Sequence, residues 1–290
     1  MKVGDKEVEV SNTDKLLFKE SQISKGDLID YYEKISNIML PHIENRPLIM
    51  HRFPNGIDEE GFYQQEASDY FPDWIDTLSV EKKEGGTVKH VLCNNKETLF
   101  YLANQACITP HIWLSKQKNV KKPDKIVFDL DPPDGKAALI VKGAKLLKRV
   151  LDEKGLTAFI MTTGSRGIHV VVPINAELVF DKVRAFARDI AETTAQKNKD
   201  ILTTEQRKNK RNGSVFIDYL RNSFGQSSVA PYAVRSIKTA PIATPLDWDE
   251  LSEKDFDSRK YTMNNIFQRL CNKKDPWENF DSKATSIKDL

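Results

Sequence analysis

The stretch Lys125–Asp131, KIVFDLD, constrains this chain more than any other. A short apolar run rich in β-branched and aromatic residues, halted at Pro132, Pro133 and Gly135, reads as a buried strand. On a strand, residues two apart face the same side. Phe128 and Leu130 therefore turn into a core, and Asp129 and Asp131 stand together on the opposite face. Two adjacent carboxylates repel, and one of them binds its proton more tightly unless a cation compensates. Oxygen-only ligation suits Mg²⁺ or Mn²⁺.

Taken alone, this DxD has other readings. It fits a pair of solvent-exposed acids without a task, or the DxD of haloacid-dehalogenase phosphatases, whose first Asp attacks phosphorus. Pro133 and a position well inside the chain argue against the phosphatase. A third acid, Asp218, ends the apolar run VFID. It is either a surface residue or the third carboxylate of a two-metal site. Thr163-Gly164-Ser165-Arg166-Gly167-Ile168-His169 places glycines around Ser165 and Arg166, a pattern that suits a backbone nest for phosphate. His169 then opens the strand VVVP, where a histidine serves as a core residue or as a ligand. Arg52, Arg235 and Lys238 read individually as surface charges, although Arg235 lies in the Pro-bounded APYAVR segment. His111, in TPHIW, and Phe62 with Tyr63 are each ambiguous between packing and a base or sugar contact.

Around these motifs the pattern alternates strands and helices. Helices are predicted over Lys25–Ile43, capped by Ser24 with Pro41 and Pro47 bracketing its exit, and over Glu97–Ala106, Ala137–Lys154, Phe180–Thr194 and Tyr261–Leu270. Strands are predicted in KEVEVS, PLIMHRF, TPHIWLS, TAFIMTTGS, GIHVVVPI and SVFIDYL. The mixture implies an α+β layered fold. No Pro/Gly/Ser-rich linker divides the 290 residues, so the expectation is one compact, two-lobed unit: a core to about residue 250 and a charged C-terminal segment over 251–290.

The balance of 44 basic against 42 acidic residues decides little. Distribution says more: basic clusters at 116–122 and 207–211 flank the candidate strands, and they suit a polyanion. No apolar run is long enough for a membrane span, and the N-terminus lacks an apolar targeting core. Three unpaired cysteines without a CxxC fit a reducing cytoplasm.

Taken in order, SKGDLIDYYEKI, RPLIMHRFPNGIDEEGFYQQ, FDLDPPDG, TTGSRGIHVVVPI, TTEQRKNKRNGSVFIDYLRN and SVAPYAVR make the chain resemble the polymerase domain of bacterial ligase D, in the archaeo-eukaryotic primase superfamily. The resemblance implies an RRM-like catalytic sheet with flanking helices. It implies nucleotide addition from a nucleoside triphosphate to a primer 3′-hydroxyl, often with ribonucleotides and manganese favoured, at gaps or broken DNA ends in non-homologous end joining. It assigns metal binding to Asp129, Asp131 and Asp218, and nucleotide contacts to Arg52, His111, Ser165, Arg166, His169 and Arg235. It gives the 5′-phosphate beyond a gap to Lys15 and Lys25, and template stacking to Phe62 and Tyr63. Arginine at 166 departs mildly from the usual lysine. The 290 residues contain no KxDG, so the expectation is a stand-alone polymerase module with Ku and a separate DNA ligase as partners, at the bacterial nucleoid. A primase that starts strands de novo and a non-catalytic end-bridging module are the alternatives.

Overall fold

The computed structural model describes residues 1–82, 85–133, 137–252 and 256–290; Gly135, expected to help end the acidic strand, lies outside them. Two short antiparallel pairs open the chain: β1 (Lys2–Val3) with β2 (Lys6–Glu7), and β3 (Leu16–Phe18) with β4 (Ile23–Ser24). Of KEVEVS only Lys6 and Glu7 are strand.

Helix α1 (Lys25–Ile43) starts where its cap dictates. The Ser24 hydroxyl accepts from the Asp27 N–H at 3.2 Å, and the Asp27 carboxylate accepts from the Ser24 N–H at 2.8 Å. Such a reciprocal box stabilises a helix start by about 1 kcal/mol. Pro41 does not bracket the exit but sits inside the last turn. Pro47 opens the next strand, a position where a missing donor is tolerated.

That strand, β5 (Pro47–Arg52), is followed by β6 (Phe62–Gln64), β7 (Thr77–Glu81), β8 (Thr87–Leu92), helix α2 (Lys96–Asn104) and β9 (Cys107–Trp113). Next come β10 (Lys125–Asp131), α3 (Ala137–Glu153), β11 (Phe159–Thr162), β12 (Ile168–Pro173), α4 (Phe180–Lys197), β13 (Leu202–Thr203), β14 (Val215–Asp218), β15 (Ser227–Val229), β16 (Pro245–Leu246) and α5 (Ile266–Asn272). One sheet has the order β15-β9-β5-β8-β7, with β6 paired to β5; the other has the order β13-β14-β10-β12-β11-β16. Within the second, β13 and β14 are parallel and the other neighbours antiparallel.

Alternation along β10 and β12 sets the layers. Ile126, Phe128, Leu130, Ile168 and Val170 pack against Leu147 of α3 and Val183 and Ile190 of α4. On the other face Val127, Met161 and Val171 join a second apolar cluster with Ile108, Ile112 and the buried side of α1. One face of the second sheet is thus sealed by helices, and the other looks across toward the first sheet.

The C-terminal segment is more than a charged tail. Trp277 and Phe280 are buried, and the Trp277 Nε1–H donates to Ile160 O at 3.0 Å. Arg269 pairs with buried Glu250 at 2.9 Å. Among the described residues no helix is long and apolar enough to cross a membrane.

Candidate active site

Strand register puts the acids together. In β10 Asp129 lies directly opposite His169 of β12 on one side and Asp218 of β14 on the other. Directly opposed residues of antiparallel strands share a face, so His169, Asp129 and Asp218 form one row. Asp131 stands two residues along the same face. A Cβ added to Gly167 would lie 3.4 Å from Asp129 Oδ1 and 3.5 Å from Asp131 Oδ1, and only 2.7 Å from Leu130 O. Glycine is required there for the turn to approach the acids.

The charges around this row are uneven. His169 Nε2 lies 3.5 Å from Asp129 Oδ1, and Arg221 Nη2 lies 3.4 Å from Asp129 Oδ2. Burial pushes the Asp129 carboxyl up, but His169, Arg221 and Arg235 more than reverse it, and it sits below its ordinary value. Asp131 moves the opposite way: burial and then the Asp129 charge raise it, against Arg166 and Arg211. Asp218 is also raised, by burial and by Asp129, although its Oδ1 accepts from the Leu220 N–H at 2.8 Å. Among the described residues no three His, Cys, Asp or Glu side chains are already drawn into a cation cage; Asp129 faces His169 and Arg221. The donor set nonetheless fits a hard divalent ion: three carboxylates on adjacent strands, two of which burial and the neighbouring Asp129 charge make less ready to ionise, a cost that a cation would offset.

A cavity of about 250 Å³ opens over Asp129, Asp131 and His169, between the two sheets. It gathers Asp129, Asp131, Ser165, Arg166, His169 and Arg235 with Tyr63 and His111 from the first sheet. Gly164 has φ +64°, and an added Cβ would lie 2.8 Å from Arg235 Cγ, so glycine is what lets Arg235 pass beneath the turn. The Arg235 guanidinium donates to Thr163 O at 2.8 Å. The expected backbone nest is partly filled from within: the N–H groups of Ser165 and Gly167 donate to the Thr163 hydroxyl at 3.3 and 3.2 Å. The C-terminal segment braces the same turn, with Ser258 Oγ donating to Gly167 O at 2.9 Å and Arg259 Nε to Ser165 O at 3.0 Å. Burial, then Arg235, His51 and Arg221, hold the His111 imidazole well below its ordinary pKa, and its Nε2 has no hydrogen-bond partner.

Asp218, Arg52, Phe62, Lys15 and Lys25 lie outside the cavity lining. Arg52 is buried and its guanidinium lies 5.5 Å from the Phe62 ring centre. Phe62 and Tyr63 are exposed rather than core, and Tyr63 stacks on His51 at 4.1 Å. Lys15 and Lys25 are joined through the Lys25 N–H, which donates to Lys15 O at 2.8 Å. Burial and then the charge of Lys15 pull the Lys25 amine down. Lys238 pairs with Glu20 at 2.7 Å, a surface contact as read. A larger cavity of about 510 Å³ lies beside His42 and Trp277. Its half-buried carboxylate, Asp275, is already committed to His42 at 2.6 Å and Tyr232 at 2.7 Å, so volume is a poor guide to chemistry here.

Sequence reasoning missed Arg221, which lines the cavity and lies within 4.0 Å of Asp218 as well as near Asp129. Its signal was its place three residues after Asp218. It missed Asn222 too, whose buried amide accepts from the Val127 N–H at 2.9 Å and donates to Val127 O at 2.8 Å, clamping the turn to β10.

The family model described as LigD, primase-polymerase domain, matches residues 24–277. The chain is 29% identical over 275 residues to the bifunctional non-homologous end joining protein LigD of Bacillus subtilis (strain 168), covering 94% of this chain and 44% of that protein. It is 29% identical over 266 residues to the multifunctional non-homologous end joining protein LigD of Mycolicibacterium smegmatis, covering 91% and 34% respectively. It thus spans less than half the length of these relatives. The solved structure of the polymerase domain from Mycobacterium tuberculosis ligase D in complex with DNA superimposes with a TM-score of 0.89 at 27% identity, covering 96% of this chain and 99% of that one. The primase-type α+β fold implied by the sequence motifs is the fold adopted. The chain belongs to the LigD primase-polymerase domain family.

Proposed function

We propose that the chain is a DNA-dependent, metal-dependent nucleotidyltransferase that extends a primer 3′-hydroxyl at gaps or broken ends, with ribonucleotides favoured, in non-homologous end joining. Family membership carries the nucleotidyltransferase class. The observation that carries the rest is the row of His169, Asp129 and Asp218 with Asp131 beside it, of which Asp129, Asp131 and His169 line a cavity that also holds Arg166 and Arg235.

Asp129, Asp131 and Asp218 would hold divalent cations, manganese before magnesium, which when bound acidify the attacking hydroxyl and offset charge on the departing pyrophosphate. Ser165, Arg166, His169 and Arg235 hold the triphosphate, with the two guanidiniums supplying charge-assisted donors. His111, kept neutral by its surroundings, meets the sugar as a hydrogen-bonding group rather than as a charge. Arg52 braces the nucleotide side of the platform where Phe62 and Tyr63 stack on the template. Lys15 and Lys25 take the 5′-phosphate beyond the gap, where a dianion offsets the burial and the Lys15 charge that pull the Lys25 amine down. The relatives' names support end joining as the setting; Ku and a DNA ligase activity as partners, at the bacterial nucleoid, belong to the proposal.

The test is nucleotide addition in manganese on a gapped duplex with a 5′-phosphate. Wild type should extend the primer, and Asp129→Ala/Asp131→Ala should not. Lys15→Ala or Lys25→Ala should lose efficiency only when the downstream phosphate is present. Wild-type protein that binds the duplex yet adds nothing would contradict the proposal.

A further inference from the structure

Large apolar side chains exposed at the surface are few, yet three aromatics fall within positions 62–70: Phe62 at 46%, Tyr63 at 60% and Tyr70 at 61% exposure. Clustered exposure of this kind marks an interaction surface. Tyr63 also lines the catalytic cavity, so the cluster is continuous with it.

Beneath the cluster lies Arg52. Its guanidinium is 5.5 Å from the Phe62 ring centre, and its Nη1 donates to the Tyr70 hydroxyl at 3.0 Å. Its other acceptors are neutral: Gln105 O at 2.8 Å, Gln105 Oε1 at 3.1 Å and Gln64 Oε1 at 2.6 Å. Among the described residues no carboxylate pairs with this buried cation. Burying a charge without an opposite one is costly, and an electron-rich ring laid above it recovers part of the cost. Tyr70 is also set edge-on against buried Phe71 at 5.2 Å. The ring is therefore held at its hydroxyl by Arg52 and packed against Phe71, with most of its surface in solvent.

We infer that Tyr70 is a third stacking ring, which with Phe62 and Tyr63 carries successive unpaired bases of a single DNA strand toward the cavity. The inference rests on the nucleotidyltransferase reading above. Exposed Glu66 and Asp69, in the same segment as the rings, repel phosphates, so a strand crossing here lays its bases on the platform and keeps its backbone outward. Aromatic stacking suits this task because every base has a π-face and no sequence need be read.

The experiment is fluorescence titration of primer–template duplexes carrying 2-aminopurine at successive positions of a 5′ template overhang, against blunt duplex and an overhang with abasic sites. Tyr70→Ala should weaken binding to the overhang roughly tenfold, the range of one stacked base, and leave blunt duplex unchanged. Tyr70→Phe keeps the ring and should stay within about twofold of wild type. Loss by Tyr70→Phe equal to that by Tyr70→Ala would overturn the inference, since the hydroxyl and not the ring would then matter. Equal affinity of Tyr70→Ala and wild type for the overhang, or an equal loss on the abasic strand, would overturn it as well. Wild type that binds none of these DNAs would sink the underlying reading and this inference with it.

Discussion

Asp129 and Asp131 are equivalent in a sequence motif and opposite in chemistry. His169 and Arg221 keep Asp129 ionised, whereas burial and the charge of Asp129 push Asp131 up. An acid whose folded-state proton affinity is raised binds its proton more tightly folded than unfolded. Its contribution to stability is therefore largest at low pH and falls as pH rises through the interval from the ordinary carboxylate value to the raised one. In chelator, Asp131→Asn should remove that segment of the stability curve and raise the melting temperature at neutral pH by about 2 °C. Thermal melts across pH on both proteins check it; a variant less stable than wild type at neutral pH would contradict the electrostatic picture. Asp129 should behave in the opposite sense. Its depressed carboxyl contributes stability above the ordinary carboxylate value, lost as pH falls through the folded one, so Asp129→Asn should destabilise where Asp131→Asn stabilises.

At the scale of elements, β10 depends on a clamp that no periodicity announces. The Asn222 amide satisfies both backbone groups of Val127 and fixes the short turn that carries Arg221. Asn222→Ala would leave a buried N–H and a buried C=O unpaired, a loss of about 2–4 kcal/mol, measurable as a lower urea midpoint at constant slope. Much else at this scale was legible. Ser24 and Asp27 mark the start of α1, the apolar stripe of α3 follows Ile140, Ala144 and Leu147, and alternation in β10 separates Phe128 from Asp129. Three kinds of feature were not. The β7–β8 hairpin passed unnoticed because TLSVE and TVKHVL carry few core residues and an exposed face. Phe62 and Tyr63 stayed ambiguous between packing and a base contact from their spacing alone, because sequence does not state burial. Arg221 and Asn222 matter through cross-strand distance, which is a property of register rather than of spacing. The C-terminal segment was unreadable for a related reason: Trp277 and Phe280 find their partners on β11, about 120 residues earlier in the chain.

At the scale of the molecule, the candidate site belongs to neither sheet alone. The second sheet supplies the acids and the Ser165–His169 turn, the first supplies Tyr63 and His111, and the last 40 residues tie the turn down through Ser258 and Arg259. Stability of the C-terminal segment should therefore be coupled to nucleotide binding. Trp277→Ala is expected to cost about 3–5 kcal/mol and to weaken nucleotide affinity while Asp129 and Asp131 remain intact, as isothermal titration would show. The central claim is that Asp129, Asp131 and Asp218 act as one centre, and single-turnover nucleotide addition by Asp129→Asn, Asp218→Asn and the double variant tests it most directly. Residues that act as a unit are not additive, so each single variant should fall on the order of a thousandfold and the double variant scarcely further. Addition by Asp218→Asn at close to the wild-type rate would contradict the three-carboxylate centre.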